Sequence, residues 1–225
     1  MTELTLIIGN KAFSSWSMRP WLALKHSGLP FQEILIPLRQ PDTAARIAEH
    51  SPSGRVPSLR DGDRVIWDSL AICEYLAEIA PAAGLWPEDA GARAVARSVS
   101  AEMHSGFVGL RTHMSMDLKA MRPGVGHNPE SEADIARVLE LWRATRERFG
   151  ADGPFLFGRF SIADAMYAPV VTRFITYGVE MDEVGRAYAE AVMSLPAMKE
   201  WVAAAKAEPW DIYTDERPTG VFVAP

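Results

Sequence analysis

Two short segments carry the side chains best suited to chemistry. Phe13-Ser14-Ser15-Trp16-Ser17-Met18-Arg19-Pro20-Trp21 follows a short apolar run, and Arg55-Val56-Pro57-Ser58-Leu59 leads into Ile66-Trp67-Asp68-Ser69-Leu70-Ala71-Ile72-Cys73-Glu74-Tyr75-Leu76. Serines opening a helix set hydroxyls beside N–H groups that have no intrahelical acceptor, at the positive end of the dipole. An anion is favoured there, and a thiol loses its proton below its ordinary pKa of about 8.5. A hydroxyl donating to the sulfur adds a charge-assisted hydrogen bond of roughly 1.5–3 kcal/mol, equivalent to one or two pKa units. The plainer role of Ser14 and Ser15 is a helix cap, worth about 1 kcal/mol.

Val56-Pro57 places proline in a strand-like segment, where it removes a ladder donor. A cis bond would turn the Val56 N–H and C=O outward, free to pair with a ligand backbone. The residues alone favour trans, since only about 5–6% of X–Pro bonds in folded proteins are cis. Asp68-Ser69 heads a helix as an N-cap. An acid beside free N–H groups also suits an amine and a carboxylate together, the pattern of an α-amino acid end. Cys73, in the same helix, has the character of a small core residue. Jointly the segments could hold a small peptide-like thiol by its backbone, carboxylate and amine.

The elements that must position these groups follow from pattern. Leu4 to Ile8 is an apolar strand closed by Gly9-Asn10, Ser15 to Ser27 a helix stopped by Gly28, and Phe31 to Leu38 a second strand. This is a β-α-β unit with a parallel pair. Asp42 to Glu49 is a weak helix. Val56 to Arg60 and Arg64 to Trp67 form a hairpin about Asp61-Gly62-Asp63, and a helix runs from Asp68 or Ser69 to about Ala80, where Pro81 ends it.

Beyond Pro81 the pattern changes to helices: Ala94 to Leu118, Glu132 to Phe149, Ser161 to Tyr177, Glu183 to Met193 and Pro196 to Ala207. The expected organisation is a small α/β domain over residues 1–81, a linker over 82–92 anchored by Leu85-Trp86-Pro87, and an all-α domain with a tail over 93–225. Ser161-Ile162-Ala163-Asp164 has capping-box spacing and a structural role. Phe107, Arg111 and Met114 fall on one face of the first long helix. They are either a core stripe with Arg111 in an interdomain ion pair, or the wall of an apolar electrophile pocket with one cation. His104 and His113 are nine apart, which is not a metal-ligand spacing, and no metal is expected.

Composition narrows the classes. The chain has 225 residues, a formal net charge of −6 and one cysteine. Nucleic-acid binding is disfavoured without clustered Lys and Arg, and a disulfide framework is excluded. No apolar stretch approaches the roughly 20 residues of a membrane span, and no signal peptide is expected. A reducing, cytoplasmic location fits.

At this level the chain resembles the cytosolic glutathione transferases over essentially its whole length. The Ser14-Ser15-Trp16-Ser17-Met18-Arg19 stretch is similar to the serine motif of the zeta class, which includes maleylacetoacetate isomerases. Ser51 to Leu59 is similar to the family's loop before a cis-proline, Asp68 to Leu76 to its acidic-Ser motif, and Gly158 to Asp164 to its helical-domain capping box. The resemblance implies a thioredoxin-like domain followed by a helical domain, with glutathione as cosubstrate and a homodimer as the assembly.

It implies Ser14 as donor to the glutathione sulfur, with Ser15 as the alternative. Val56 beside cis-Pro57 would pair with the cysteinyl backbone, and Asp68 and Ser69 would bind the γ-glutamyl end. Arg55 stands where the zeta pattern usually has Gln, and Trp16 where it has Cys, both at the glutathione site. The implied activity is thiolate attack on an electrophile. The alternatives are a glutathione-dependent cis–trans isomerisation, against which Trp16 counts, and a non-enzymatic glutathione- or ligand-binding role with the tail from Pro209 folded over the pocket.

Overall fold

The computed structural model describes residues 3–212. Four strands form one sheet in the order β2-β1-β3-β4: β1 Leu4–Ile8, β2 Phe31–Leu35, β3 Ser58–Asp61 and β4 Arg64–Ile66. β1 pairs parallel with β2 (Leu6 opposite Glu33) and antiparallel with β3 (Leu6 opposite Leu59), and β3 pairs antiparallel with β4. All five residues of β1 are buried, as a central strand covered on both faces demands. Helix α1, Ser15–Ser27, makes the crossover between the parallel strands, and Gly28 ends it in the left-handed conformation. Helices α2, Thr43–Ala48, and α3, Ser69–Ile79, complete this unit.

Among the described residues six α-helices follow: α4 Ala90–Ser105, α5 Val108–His113, α6 Pro129–Phe149, α7 Ile162–Tyr177, α8 Glu183–Ser194 and α9 Pro196–Ala207. Among the described residues none is long and apolar enough to cross a membrane. One apolar cluster runs from Leu4 in β1 through Met18 and Leu22 in α1 to Trp142, Tyr167 and Trp201 in the helical part. α1 packs on α3 within the first unit and on α7 across the junction. Its first turn therefore lies where the two units meet. Trp201 locks that junction, with its ring 5.1 Å from Trp21 and its Nε1 donating to the Lys11 carbonyl at 2.9 Å.

The expected element order holds, with shorter pieces in places. β2 stops at Leu35, two residues before Pro37, and the hairpin turn tightens to Gly62-Asp63. The expected continuous helix from Ala94 to Leu118 is two helices. Gly106 ends α4, and a Cβ there would come within 2.7 Å of the Glu102 carbonyl oxygen. Phe107 then takes a left-handed conformation with φ 55°. Arg111 donates back to the carbonyls of His104 and Gly106, so it caps α4. Phe107 and Met114 consequently bracket the six-residue α5, and no single helix face carries both.

Asp164 accepts from the Ser161 N–H at 2.8 Å and from the Ser161 hydroxyl at 3.0 Å, tying down the start of α7. It also accepts from the Leu156 N–H at 3.0 Å. Burial pushes its carboxyl up to about 6, against these hydrogen bonds. Of the tail, only the first residues are described. Arg39 donates to the Ile212 carbonyl at 3.3 Å, and Ile212 packs with Ala12 and Phe13, just before the serines. The expected cover by the rest of the tail lies outside the described residues.

Candidate functional site

The two serines at the start of α1 differ in what they hold. Ser14 is the N-cap: its oxygen accepts from the Ser17 N–H at 3.3 Å, and its hydroxyl donates to Ser17 Oγ at 2.8 Å. Ser17 Oγ in turn accepts from the Gly9 N–H at 3.1 Å, tying the helix to the end of β1. Ser14's one proton is therefore committed to the scaffold. Ser15 Oγ accepts from Arg173 Nη2 at 3.2 Å, and it donates to no group among the described residues. Both serines are buried, Ser14 at 6% and Ser15 at 5% exposure. Of Ser14 and Ser15, the one with an uncommitted hydroxyl proton among the described residues is thus Ser15.

The Val56–Pro57 bond is cis. Val56 is half-buried, and its N–H and C=O take no backbone partner among the described residues. Arg55 beside it is exposed. Asp68 caps α3, one carboxylate oxygen accepting from the N–H groups of Leu70 at 3.0 Å and Ala71 at 3.4 Å. Its other oxygen lies 2.9 Å from His104 Nε2 at the C-terminal end of α4. Ser69 is fully buried, and its Oγ has no hydrogen-bond partner among the described residues. An unspent hydroxyl, an unspent backbone just before β3 and a half-exposed carboxylate at a helix N-terminus match the donors and acceptors of a tripeptide with an α-amino acid end.

Trp16 connects the two halves of this surface. Its ring face lies 4.3 Å from the Arg19 guanidinium and 5.3 Å from that of Arg111, and His104 meets it edge-on at 5.4 Å. Phe107 is buried, Met114 is fully buried in the main cluster, and Arg111 is half-buried. Burial lowers the Arg111 guanidinium below its ordinary value, opposed by Asp134. Cys73 is buried in the same core, and burial pushes its thiol well up. Among the described residues no cluster of His, Cys, Asp or Glu forms a metal-holding group.

Pattern reading missed three residues here. Arg19 lay inside the quoted serine segment without a role. Arg173 sits in the most apolar helix, where a cation is itself the signal, since Arg is almost never fully buried unless paired. His104 reaches Asp68 only through the break between α4 and α5, which periodicity did not reveal.

Comparison with known proteins bears on the family and the fold. The glutathione S-transferase N-terminal domain model matches residues 13–79, and the C-terminal domain model matches 127–204. Glutathione S-transferase L1 of Arabidopsis thaliana is 24% identical over 188 residues, 83% of this chain and 72% of that protein. The matched span is 63% and 50% of two further L-type relatives, less than two thirds of their length. A probable maleylacetoacetate isomerase of Caenorhabditis elegans is 36% identical over 93 residues, 41% of this chain and 42% of that protein. In fold, a glutathione transferase homolog from Burkholderia gl BGR1, with bound glutathione, superimposes with a TM-score of 0.70 at 24% identity, covering 91% of this chain and 99% of that one. With both halves of the fold matched in order, the chain belongs to the glutathione S-transferase family.

Proposed function

We propose that this protein binds glutathione and holds its sulfur as a thiolate for attack on a small electrophile. The observation that carries the reading is the free proton of Ser15: its oxygen accepts from Arg173 at 3.2 Å, while Ser14 is spent on Ser17. Ser15 is therefore the sulfur's hydroxyl donor and Ser14 the structural cap. The first N–H groups of α1 add their dipole to the same point. Val56 pairs with the cysteinyl backbone beside cis-Pro57. Asp68 takes the γ-glutamyl ammonium, and Ser69, with its Oγ and its own N–H at the start of α3, takes the carboxylate, the Leu70 and Ala71 N–H groups being held by Asp68 itself.

Arg55 reaches the ligand from the exposed rim, and Trp16 walls the sulfur on the side of the helical unit. Phe107, Arg111 and Met114 shape the electrophile's side. The sulfur forms a bond to carbon while a leaving group departs, or adds across a polarised double bond. The protein contributes position and preorganised donors, with no covalent enzyme intermediate. A homodimer in a reducing, cytoplasmic compartment completes the reading.

Conjugation kinetics on a panel of electrophiles test it. Activity that falls in Ser15→Ala and persists in Ser14→Ala is expected; full activity in both sinks the serine role. The likeness to the probable maleylacetoacetate isomerase favours a second reaction, in which thiolate addition to a double bond permits rotation before release. Isomerisation without net consumption of glutathione is its signature. Glutathione binding with no turnover on either panel would leave a binding protein.

A further inference from the structure

Arg19 is fully buried, yet Nε, Nη1 and Nη2 all lack a hydrogen-bond partner among the described residues. A guanidinium carries five N–H donors, and burying a charge without partners is strongly unfavourable. Its surroundings make the cost larger. Arg173 from α7 and Arg111 from α5 face it with like charge, and the nearby carboxylate is that of Asp68 at the start of α3. Cys73 of α3 is neutral, since burial pushes its thiol up, and His104 of α4 stands behind the Trp16 ring. Burial first, then Arg173 and Arg111, push the Arg19 guanidinium down to about 9, so it stays protonated at neutral pH. A Met or Leu would fill this space more cheaply. The fold therefore keeps a charge it does not need for packing.

The position of that charge says what it serves. Arg19 lies four residues after Ser15, hence on the same side of α1. Arg173, whose charge faces Arg19, donates to Ser15 Oγ. An anionic group on a second substrate does not fit as the partner, because Arg19 has no exposed surface and Trp16 covers its face at 4.3 Å. What remains within its field is the sulfur site at the start of α1.

We propose that Arg19 and Arg173 form a fixed cationic floor beneath Ser15 that keeps the bound thiol ionised. Both are positioning residues. Arg173 acts through the Ser15 oxygen, turning that hydroxyl's proton toward the sulfur. Arg19 acts through its field, without touching the ligand. This inference rests on the glutathione reading above.

The test is a pH titration of the ultraviolet thiolate band of bound glutathione, with calorimetric melting of the same samples. The proteins are wild type, Arg19→Met and Arg19→Lys. Arg19→Met removes the charge and breaks no hydrogen bond to a described residue. The expected result is a variant that melts near or above wild type, still binds glutathione, and ionises its thiol at a pH higher by about one unit or more. The charge-conserving Arg19→Lys should stay close to wild type in thiol pKa. An unchanged thiol pKa in Arg19→Met overturns the inference, and so does a collapse of its folding, since the charge would then be structural. If wild type itself binds no glutathione, or binds it with an unperturbed thiol, the functional reading fails instead.

Discussion

Replacing one serine at a time separates chemistry from scaffolding. In Ser15→Ala the thiolate loses a hydroxyl donor whose oxygen is held by Arg173 at 3.2 Å. A hydrogen bond to a charged acceptor is worth roughly 1.5–3 kcal/mol, so the thiol pKa should rise by one to two units. Below both pKa values the thiolate fraction, and with it kcat/KM, falls about 10- to 100-fold. Above them the two proteins converge, because the thiol is then ionised in each. In Ser14→Ala the losses are the cap on the Ser17 N–H and the link to Ser17 Oγ. A lost cap costs about 1 kcal/mol, which lowers Tm by about 2–4 °C in a protein of this size. Its thiol pKa should not move. Thiolate absorbance against pH, with pH profiles of kcat/KM and thermal melts, reads all three quantities. The assignment is refuted if Ser14→Ala raises the thiol pKa while Ser15→Ala leaves it in place.

Three further outcomes follow from other parts of the structure. Asp68→Ala should raise KM for glutathione by roughly 10- to 100-fold with kcat little changed, since it removes one charge-assisted contact made equally in ground and transition states; initial-rate kinetics check this. Gly109→Ala should destabilise by about 1–3 kcal/mol in denaturant melts, because its Cβ would meet the Glu130 carbonyl carbon and oxygen at 2.7 Å and force α5 off α6. Asp164 has a folded value of about 6 against an ordinary 3.8, so between these pH values the native state holds more protons than the unfolded one. Its contribution therefore falls as pH rises through this window, by about 3 kcal/mol at most, and is level above it. Denaturant unfolding from pH 4 to 7 should show this slope in wild type, superimposed on the other carboxylates, and a flatter one in Asp164→Asn.

Much of the scaffold was legible because its signals are local. Gly28 ends α1 with φ 72°, Ser161 and Asp164 mark the start of α7, and Pro196 opens α9 where the pattern placed it. The α4–α5 break was not legible, since Gly106 alone costs a helix only about 1 kcal/mol. What decides it is Arg111 folding back on the α4 carbonyls, a contact between elements. The cis bond at Val56–Pro57 was likewise invisible in the dipeptide and came only with the resemblance. At the serines, the resemblance put Ser14 first as the sulfur's donor and Ser15 as the alternative. Their inequality comes from Ser17, which takes the Ser14 proton, and from Arg173, 158 residues away, which donates to Ser15.

Trp16 draws these long-range effects together. It stands where the zeta pattern has Cys, which on sequence grounds removes a thiol from the site mouth. In the structure it also adds something a Cys has no surface to provide. Its indole lies on Arg19 and Arg111 and meets His104, the partner of Asp68, edge-on. A desolvated cation–π contact can return about 2 kcal/mol, which offsets part of the cost of burying Arg19. The ring also screens that charge from water, where its field would be weakened. The substitution that counts against isomerase-type thiol chemistry therefore shields a buried positive field beside Ser15, the serine proposed to meet the sulfur. A smaller side chain at position 16 should admit water to Arg19 and weaken that field with Ser15 still in place. Trp16→Cys should then raise the thiol pKa part of the way toward that of Arg19→Met; a value equal to wild type would show that the ring contributes no shielding.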